Sequence, residues 1–241
     1  MGTAKDFDRI LHKEIDVHAA WLPVTNVIKV GDFGLISDGV FARQGNIRDV
    51  FGIDFETDPG PGVNLDFKSD RVREVRFTAG AEVDVFPDQP LEAKLTINFE
   101  RSKSFYLKAK LDTEQMKNSF AVALALVSNP NWRRKFKVVS GVYNGTAPVI
   151  MSSRSGNTEV SISGKADVLQ KFELGNAEAG LTFKSSSSLG LEILGEQGVV
   201  GLQLFQVGRK GEVDFLAEGR EAKAEEVDFN DKLGEDLEDD I

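Results

Sequence analysis

The side chains best suited to chemistry in this sequence are basic, and they fall into three groups. Arg9 and Lys13 stand four residues apart with His12 beside them, so on a helix they share a face. Lys68, Arg71, Arg73 and Arg76 gather where a long alternating segment begins, and Arg133, Arg134, Lys135 and Lys137 follow Trp132. Such groups are either ordinary solvated surface or a means of holding anionic lipid headgroups, at ~1 kcal/mol per well-placed basic residue. Other chemistry finds little support. There is no Cys, which excludes disulfides, thiolate metal sites and Cys nucleophiles, and two histidines, His12 and His18, are too few for a multi-His metal centre. Gly31-Asp32-Phe33-Gly34 contains a DFG triplet without the other kinase loops, and Ser185–Ser188 has no nearby histidine as base. Lys232 occupies a ligand position in the calcium-loop-like stretch Asp228 to Glu238. Asn144-Gly145-Thr146 fits a glycosylation sequon but reads as a turn in a chain without a signal peptide. No carboxylate couple stands out, so neither catalysis nor a metal nor a cofactor is expected.

Charge is unevenly placed. Residues 221–241 carry ten acids and two lysines, −8 of the overall −10, which leaves −2 for residues 1–220. A near-neutral body with an acidic tail is a poor partner for nucleic acid, whose affinity rests on neutralised phosphates. The expectation is one domain over 1–220 followed by an acidic tail over 221–241. The N-terminus has no apolar leader and no apolar run approaches the ~20 residues of a spanning helix, so the expected location is the cytoplasm.

The positioning elements follow from periodicity. Asp6 to about Ala20 predicts a short amphipathic helix with Phe7, Ile10 and Leu11 on one stripe, ended near Trp21-Leu22-Pro23. Asn26–Val30 and Gly34–Ala42 read as short strands. From Arg73 the odd positions Val75, Phe77, Ala79, Ala81, Val83 and Val85 are apolar or small and the even ones polar or Gly. The same odd phase returns in Leu91, Ala93, Leu95, Ile97 and Phe99, and again in Phe105 to Leu111. A helix is predicted from an N-cap at Thr113 through Met116, Phe120, Leu124 and Val127 to Asn129-Pro130. Lys137–Tyr143 and Val149–Ser153 read as buried strands. Alternation resumes at Val160, Ile162, Ala166 and Val168, and runs on odd positions from Ala179 through Leu181, Phe183, Leu189, Leu191 and Ile193. Val199–Val207 is a last strand, with Val213–Leu216 a doubtful one. The fold class is therefore α+β: a long, twisted, mainly antiparallel sheet with a short N-terminal amphipathic helix and flanking helices. Segments this long exceed the ~5–6 residues of common strands and match the dyad pattern of ~9–11-residue membrane strands, although a half-exposed sheet alternates in the same way.

The order of these elements resembles the pore-forming domain of the gasdermin family over about Asp6 to Val207. The likeness rests on FDRILHKEIDV leading into WLPVT (Trp21–Thr25), on GNIRDVFGID (Gly45–Asp54), on the alternating region 73–111, and on the helix 114–127 before Asn129-Pro130-Asn131-Trp132. KVVSGVY (Lys137–Tyr143), EVSISGKADV and AGLTFKSSSSLGLEI complete it. The resemblance implies a non-enzymatic protein that binds acidic membrane lipids and assembles as a homo-oligomer or as a hetero-oligomer with a related variant. It also implies a change of location, from cytoplasm to membrane, and insertion of two hairpin regions, about 73–111 and 147–193, as a lytic β-barrel. On that reading Arg9, His12, Lys13, Arg71, Arg73 and Arg76 hold lipid. Val75, Phe77, Val83, Val85, Leu95, Ile97, Phe99, Val160, Ile162, Leu181, Phe183, Leu189 and Leu191 face the acyl chains. The absence of Cys and of a large C-terminal inhibitory domain places the likeness nearest the minimal microbial and fungal members. The competing reading is a non-catalytic α+β binding or scaffold protein that recognises a protein or lipid without inserting.

Overall fold

The structure is a computed structural model that describes residues 3–175, 180–185, 189–194, 197–208 and 213–215. Helix α1 (Thr3–Ile15) buries Phe7 and Leu11 and ends where Asp16 takes a positive φ of 58°. Strand β1 (His18–Ala19) precedes a hairpin of β2 (Asp32–Ser37) and β3 (Val40–Asn46). The Asn46 side chain accepts the Arg48 N–H to cap α2 (Ile47–Phe51), and Gly52 closes that helix in the left-handed region. Then come β4 (Thr57–Pro59), β5 (Val63–Lys68), β6 (Val72–Thr78), β7 (Ala81–Val83), β8 (Glu92–Phe99) and β9 (Phe105–Met116). After α3 (Ser119–Val127) follow β10 (Lys137–Gly145), β11 (Val149–Ser153), β12 (Thr158–Lys165) and α4 (Ala166–Glu173). The last elements are β13 (Thr182–Ser185), β14 (Leu189–Leu194), β15 (Gly198–Val207) and β16 (Val213–Phe215).

All strand pairs are antiparallel, and they form two sheets among the described residues. The large one has eleven strands, with β1-β15-β10-β9-β11-β14 as its main path; the small one runs β13-β12-β8-β6-β7. One face of the large sheet, carrying Leu65, Phe105, Leu107, Ala109, Leu111 and Ile150, packs under Phe7 and Leu11 of α1. Its other face, with Tyr106, Val149 and Met151, packs on the small sheet and on Ala166, Leu169 and Phe172 of α4. A third cluster surrounds α2 and α3, where Phe33, Phe51, Trp132 and Phe136 meet edge-on or tilted at 5.1–5.9 Å between ring centroids. Each fully buried Leu, Ile or Phe in these clusters contributes roughly 1.5–3 kcal/mol.

The fold class is the one expected, and several elements differ in extent. Arg73–Val85 is not one strand: Ala79 and Gly80 take φ of 51° and 82° and turn the chain from β6 into β7. The helix predicted from Thr113 begins later, because β9 continues to Met116 and the Asn118 side chain accepts the Ala121 N–H as N-cap. Ala166 and Val168 do not extend an alternating strand. Ala166, Leu169 and Phe172 follow at helical spacing and bury one face of α4. The run 179–193 becomes two strands, β13 and β14, in different sheets. Asn26–Val30 is irregular. The acidic tail 221–241 lies outside the described residues.

Candidate functional site

Four segments of chain pass from the large sheet to the small one, and they do so side by side. β5 leads into β6, β9 comes from β8, β11 leads into β12, and β13 leads into β14. In the large sheet the lateral order is β5-β9-β11-β14, and in the small sheet it is β6-β8-β12-β13, the same four segments in the same order. Hydrogen bonds continue through the corners: Ser69 donates to Phe105, Glu100 to Arg71, Lys103 to Ser153 and Ser153 to Ser104. The four segments thus make up one four-stranded antiparallel sheet that runs through both, folded over along a crease. The alternating sequence specifies the strands, and the corners at 69–71, 100–104 and 154–157 interrupt it.

Register differs along the crease. β9 and β11 align Phe105 with Ser152, and β8 and β12 align Phe99 with Thr158, so both chains advance six residues between these pairs. On the other flank β5 and β9 align Lys68 with Tyr106, whereas β6 and β8 align Val72 with Phe99. There one chain advances four residues while its partner spends seven.

Residues opposite one another across a ladder share a face. On the small sheet the inner face therefore carries Leu95, Ile97 and Phe99 of β8, Val160 and Ile162 of β12, and Phe183 of β13. The structure brings these expected inserting residues together, five of them fully buried against α4 and the large sheet, with Val83, Leu181 and Leu189 packed at the margin. Leu191 packs instead on the cluster beneath α1, and Val85 is 69% exposed. Val75 and Phe77 lie on the outer face, opposite Thr96 and Lys94. On β6 it is Val72, Glu74, Arg76 and Thr78 that turn inward.

The charged pair in that inner face is held by partners from β5, β9 and α4. Glu74, with 5% of its side chain exposed, accepts from Lys68 Nζ at 3.0 Å and from Arg76 Nη2 at 3.1 Å. Arg76 also pairs with Glu173 at the end of α4 at 2.6 Å. Lys108 Nζ lies 3.9 Å from Glu74 Oε1 and 2.5 Å from Asp66. Burial pushes the Glu74 carboxyl up, but Lys68, Tyr106 and Lys108 more than reverse this and hold it below its ordinary value. Burial first, and Glu74 second, raise the Tyr106 hydroxyl well above its ordinary value. Arg76 is raised by Glu173 and Glu74 against the opposing effect of burial.

The expected lipid-binding residues occupy separate places. Arg9 pairs with Asp6 at 2.5 Å, Lys13 is exposed near Glu14, and the His12 ring lies 5.5 Å from that of His18. Arg71 and Arg73 sit at the crease, 3.7 and 3.0 Å from Glu100. Arg76 is turned inward in the ionic cluster, with 21% of its side chain exposed. Neither α4 as a cover nor the Glu74 cluster was legible as a site in the sequence. The signal for α4 was the spacing of Leu169 and Phe172. The signal for the cluster was a charge pair, Glu74 and Arg76, inside an alternating strand. Among the described residues no group of three or more His, Asp or Glu is placed to hold a metal ion, and no helix is long and apolar enough to cross a membrane.

No protein-family model matches the chain, and no curated protein matches it. Among solved structures it is similar to a bacterial gasdermin from Bradyrhizobium tropiciagri, 14% identical over 87% of this chain and 90% of that one, with a TM-score of 0.38. It is also similar to the gasdermin A3 membrane pore seen by cryo-EM, 12% identical over 92% of this chain and 97% of that one, with a TM-score of 0.36. Both are gasdermins, the family that the sequence resembles.

Proposed function

We propose that this chain is a gasdermin-like pore former that binds acidic membrane lipids, oligomerises and inserts two β-hairpins into a lytic transmembrane barrel. The observation that carries the reading is the creased sheet. Its four segments, 63–78, 92–116, 149–165 and 182–185 with 189–194, are already antiparallel neighbours in the order two adjacent hairpins require. Opened along the crease, each is longer than the ~9–11 residues that a tilted membrane strand needs. Every backbone polar group must be paired in lipid, which a closed barrel of such hairpins achieves. The inner-face residues Leu95, Ile97, Phe99, Val160, Ile162 and Phe183 would exchange the cover of α4 for acyl chains. Arg71 and Arg73, at the crease, flank that apolar band where headgroups would lie, and Arg9, His12 and Lys13 would add the exposed side of α1. On this reading residues 1–220 form one pore-forming unit, cytoplasmic before assembly, with 221–241 as its acidic tail.

The test is dye release from liposomes with and without anionic lipid, with negative-stain imaging of the same samples. Release that needs anionic lipid and comes with rings or arcs is the expected result. If protein given a lysate or a sequence variant as partner still bound liposomes without release, a non-inserting binding module would replace this reading.

A further inference from the structure

In the β6–β8 ladder the creased sheet is out of phase with its own amphipathic pattern. On β8 and β12 the apolar residues share the inner face, and their register runs unbroken into β9 and β11. On β6 the inner face carries Glu74 and Arg76, opposite Ile97 and Leu95, while Val75 and Phe77 face outward. The mismatch has a countable origin, the three residues by which the β8-to-β9 corner exceeds the path from Lys68 to Val72. A bent sheet accommodates them in its corner. A straight pair of strands has no corner in which to keep them.

Carried past the crease, the β5–β9 alignment sets Val75 opposite Phe99, Phe77 opposite Ile97, Ala79 opposite Leu95, Ala81 opposite Ala93 and Val83 opposite Leu91. Each apolar residue then meets an apolar one. On the other face Arg76 meets Asn98, Thr78 meets Thr96 and Gly80 meets Lys94. The opposite outcome, straightening with the present β6–β8 register, would aim Glu74 and Arg76 at lipid, where one Arg alone costs about 2–4 kcal/mol at mid-depth.

We propose that insertion of the first hairpin requires β6 to slip three residues along β8, about 10 Å at the rise of a strand, with the Ala79–Gly80 turn opening so that 79–83 continues it alongside 91–95. The inference rests on the pore reading above and adds a specific rearrangement to it. The slip moves Glu74 and Arg76 from an apolar inner face to the polar face of the barrel. Until then Lys68, Lys108 and Glu173 satisfy the two charges in the folded form, and they hold β6 in the non-inserting register.

The chain has no Cys, so paired cysteines report register without background. Thr78→Cys with Ala93→Cys joins residues opposite each other in the present register. Thr96→Cys with Ser161→Cys does the same on β8–β12, whose register the slip leaves alone. Thr78→Cys with Thr96→Cys joins residues that meet only after the slip. All three are assayed oxidised and reduced on dye-loaded phosphatidylcholine–phosphatidylserine liposomes.

The expected result is that the oxidised 78/93 protein releases dye about tenfold more slowly or less, because a slip must break the whole β6–β8 ladder, and that reductant restores release. The oxidised 96/161 protein should release as its reduced form does, and the 78/96 bond should form on leaking liposomes and not in solution. Release by the oxidised 78/93 protein equal to its reduced form overturns the slip, as does a 78/96 pair that never joins on leaking liposomes. If the unsubstituted protein releases no dye even with a lysate or a sequence variant as partner, the pore reading falls and takes the slip with it.

Discussion

Glu74 stands directly across the β6–β8 ladder from Ile97, so a nearly buried carboxylate shares one face with a fully buried isoleucine. A lone carboxylate there would be costly, and it is tolerated because Lys68 and Arg76 donate to it. Glu74→Gln should therefore lower unfolding stability by about 1–3 kcal/mol, less than a fully buried pair because Lys68 is half exposed. The pH dependence has a definite sign. A carboxyl held below its ordinary pKa stabilises the fold above that ordinary value, and the contribution is lost as pH falls through the depressed one. Urea midpoints should decline as pH drops below the ordinary carboxylate range, and Glu74→Gln should flatten that decline. A Glu74→Gln profile parallel to that of the unsubstituted protein would refute the assignment.

Phe172 and Leu169 of α4 cover the apolar inner face of the small sheet. Phe172→Ala should destabilise by about 3–5 kcal/mol, and on liposomes it should release dye faster. Urea denaturation and release kinetics on the same preparation test both. Lower stability with unchanged release would mean that α4 is not part of the barrier to opening.

Gly175 ends α4 with a φ of 78°, and a Cβ there would sit 2.5 Å from the Ala109 backbone nitrogen. Gly80 has a similar φ of 82° at the β6–β7 turn but open space around it. Gly80→Ala should cost about 1–2 kcal/mol from backbone strain alone. Gly175→Ala should cost roughly 1–3 kcal/mol more, because strand and helix must separate. Equal melting temperatures for the two variants would contradict this difference in packing.

The three basic residues of β6 and its corner should separate by assay. Arg71→Gln and Arg73→Gln, exposed and paired with Glu100 among the described residues, should leave stability within ~0.5 kcal/mol. Each should weaken binding to anionic vesicles about fivefold, equivalent to ~1 kcal/mol. Arg76→Gln should instead lower the urea midpoint, since Glu173 and Glu74 lose their shared partner. Vesicle sedimentation beside urea titration resolves the two behaviours.

The tail of net charge −8 should screen the protein from anionic membranes. Ending the chain at Arg220 should raise liposome release, most at low salt. Equal release from both lengths would show that the tail has no such role.

Period-two alternation made the strands of the small sheet legible before any coordinates. It reported which side chains share a face within one strand, as at Leu95, Ile97 and Phe99. It could not report which faces of neighbouring strands coincide, because pairing depends on the lengths of corners such as 69–71 and 100–104. Val75 and Phe77 therefore share the phase of Leu95 and Ile97 in the sequence and project to the opposite side in the sheet. The basic residues met the same limit: Arg73 and Arg76 are three apart in sequence, yet one is solvated and the other lies in an ionic cluster assembled from distant segments. Helix α4 was obscured because Ala166 and Val168 happen to continue the alternation of Val160 and Ile162. Phe172, which settles the matter, lies further along.

The matched advance of the central strands, six residues on each side between Phe105–Ser152 and Phe99–Thr158, couples two turns far apart in the gene. Deleting one residue from 100–104 alone would misalign every pair beyond the crease and turn the wrong side chains inward. Deleting one from 154–157 as well would bring them back. Length changes in these two turns are thus expected to be tolerated only as matched pairs, while the corner at 69–71, already three residues out of step with its partner, is free of that coupling.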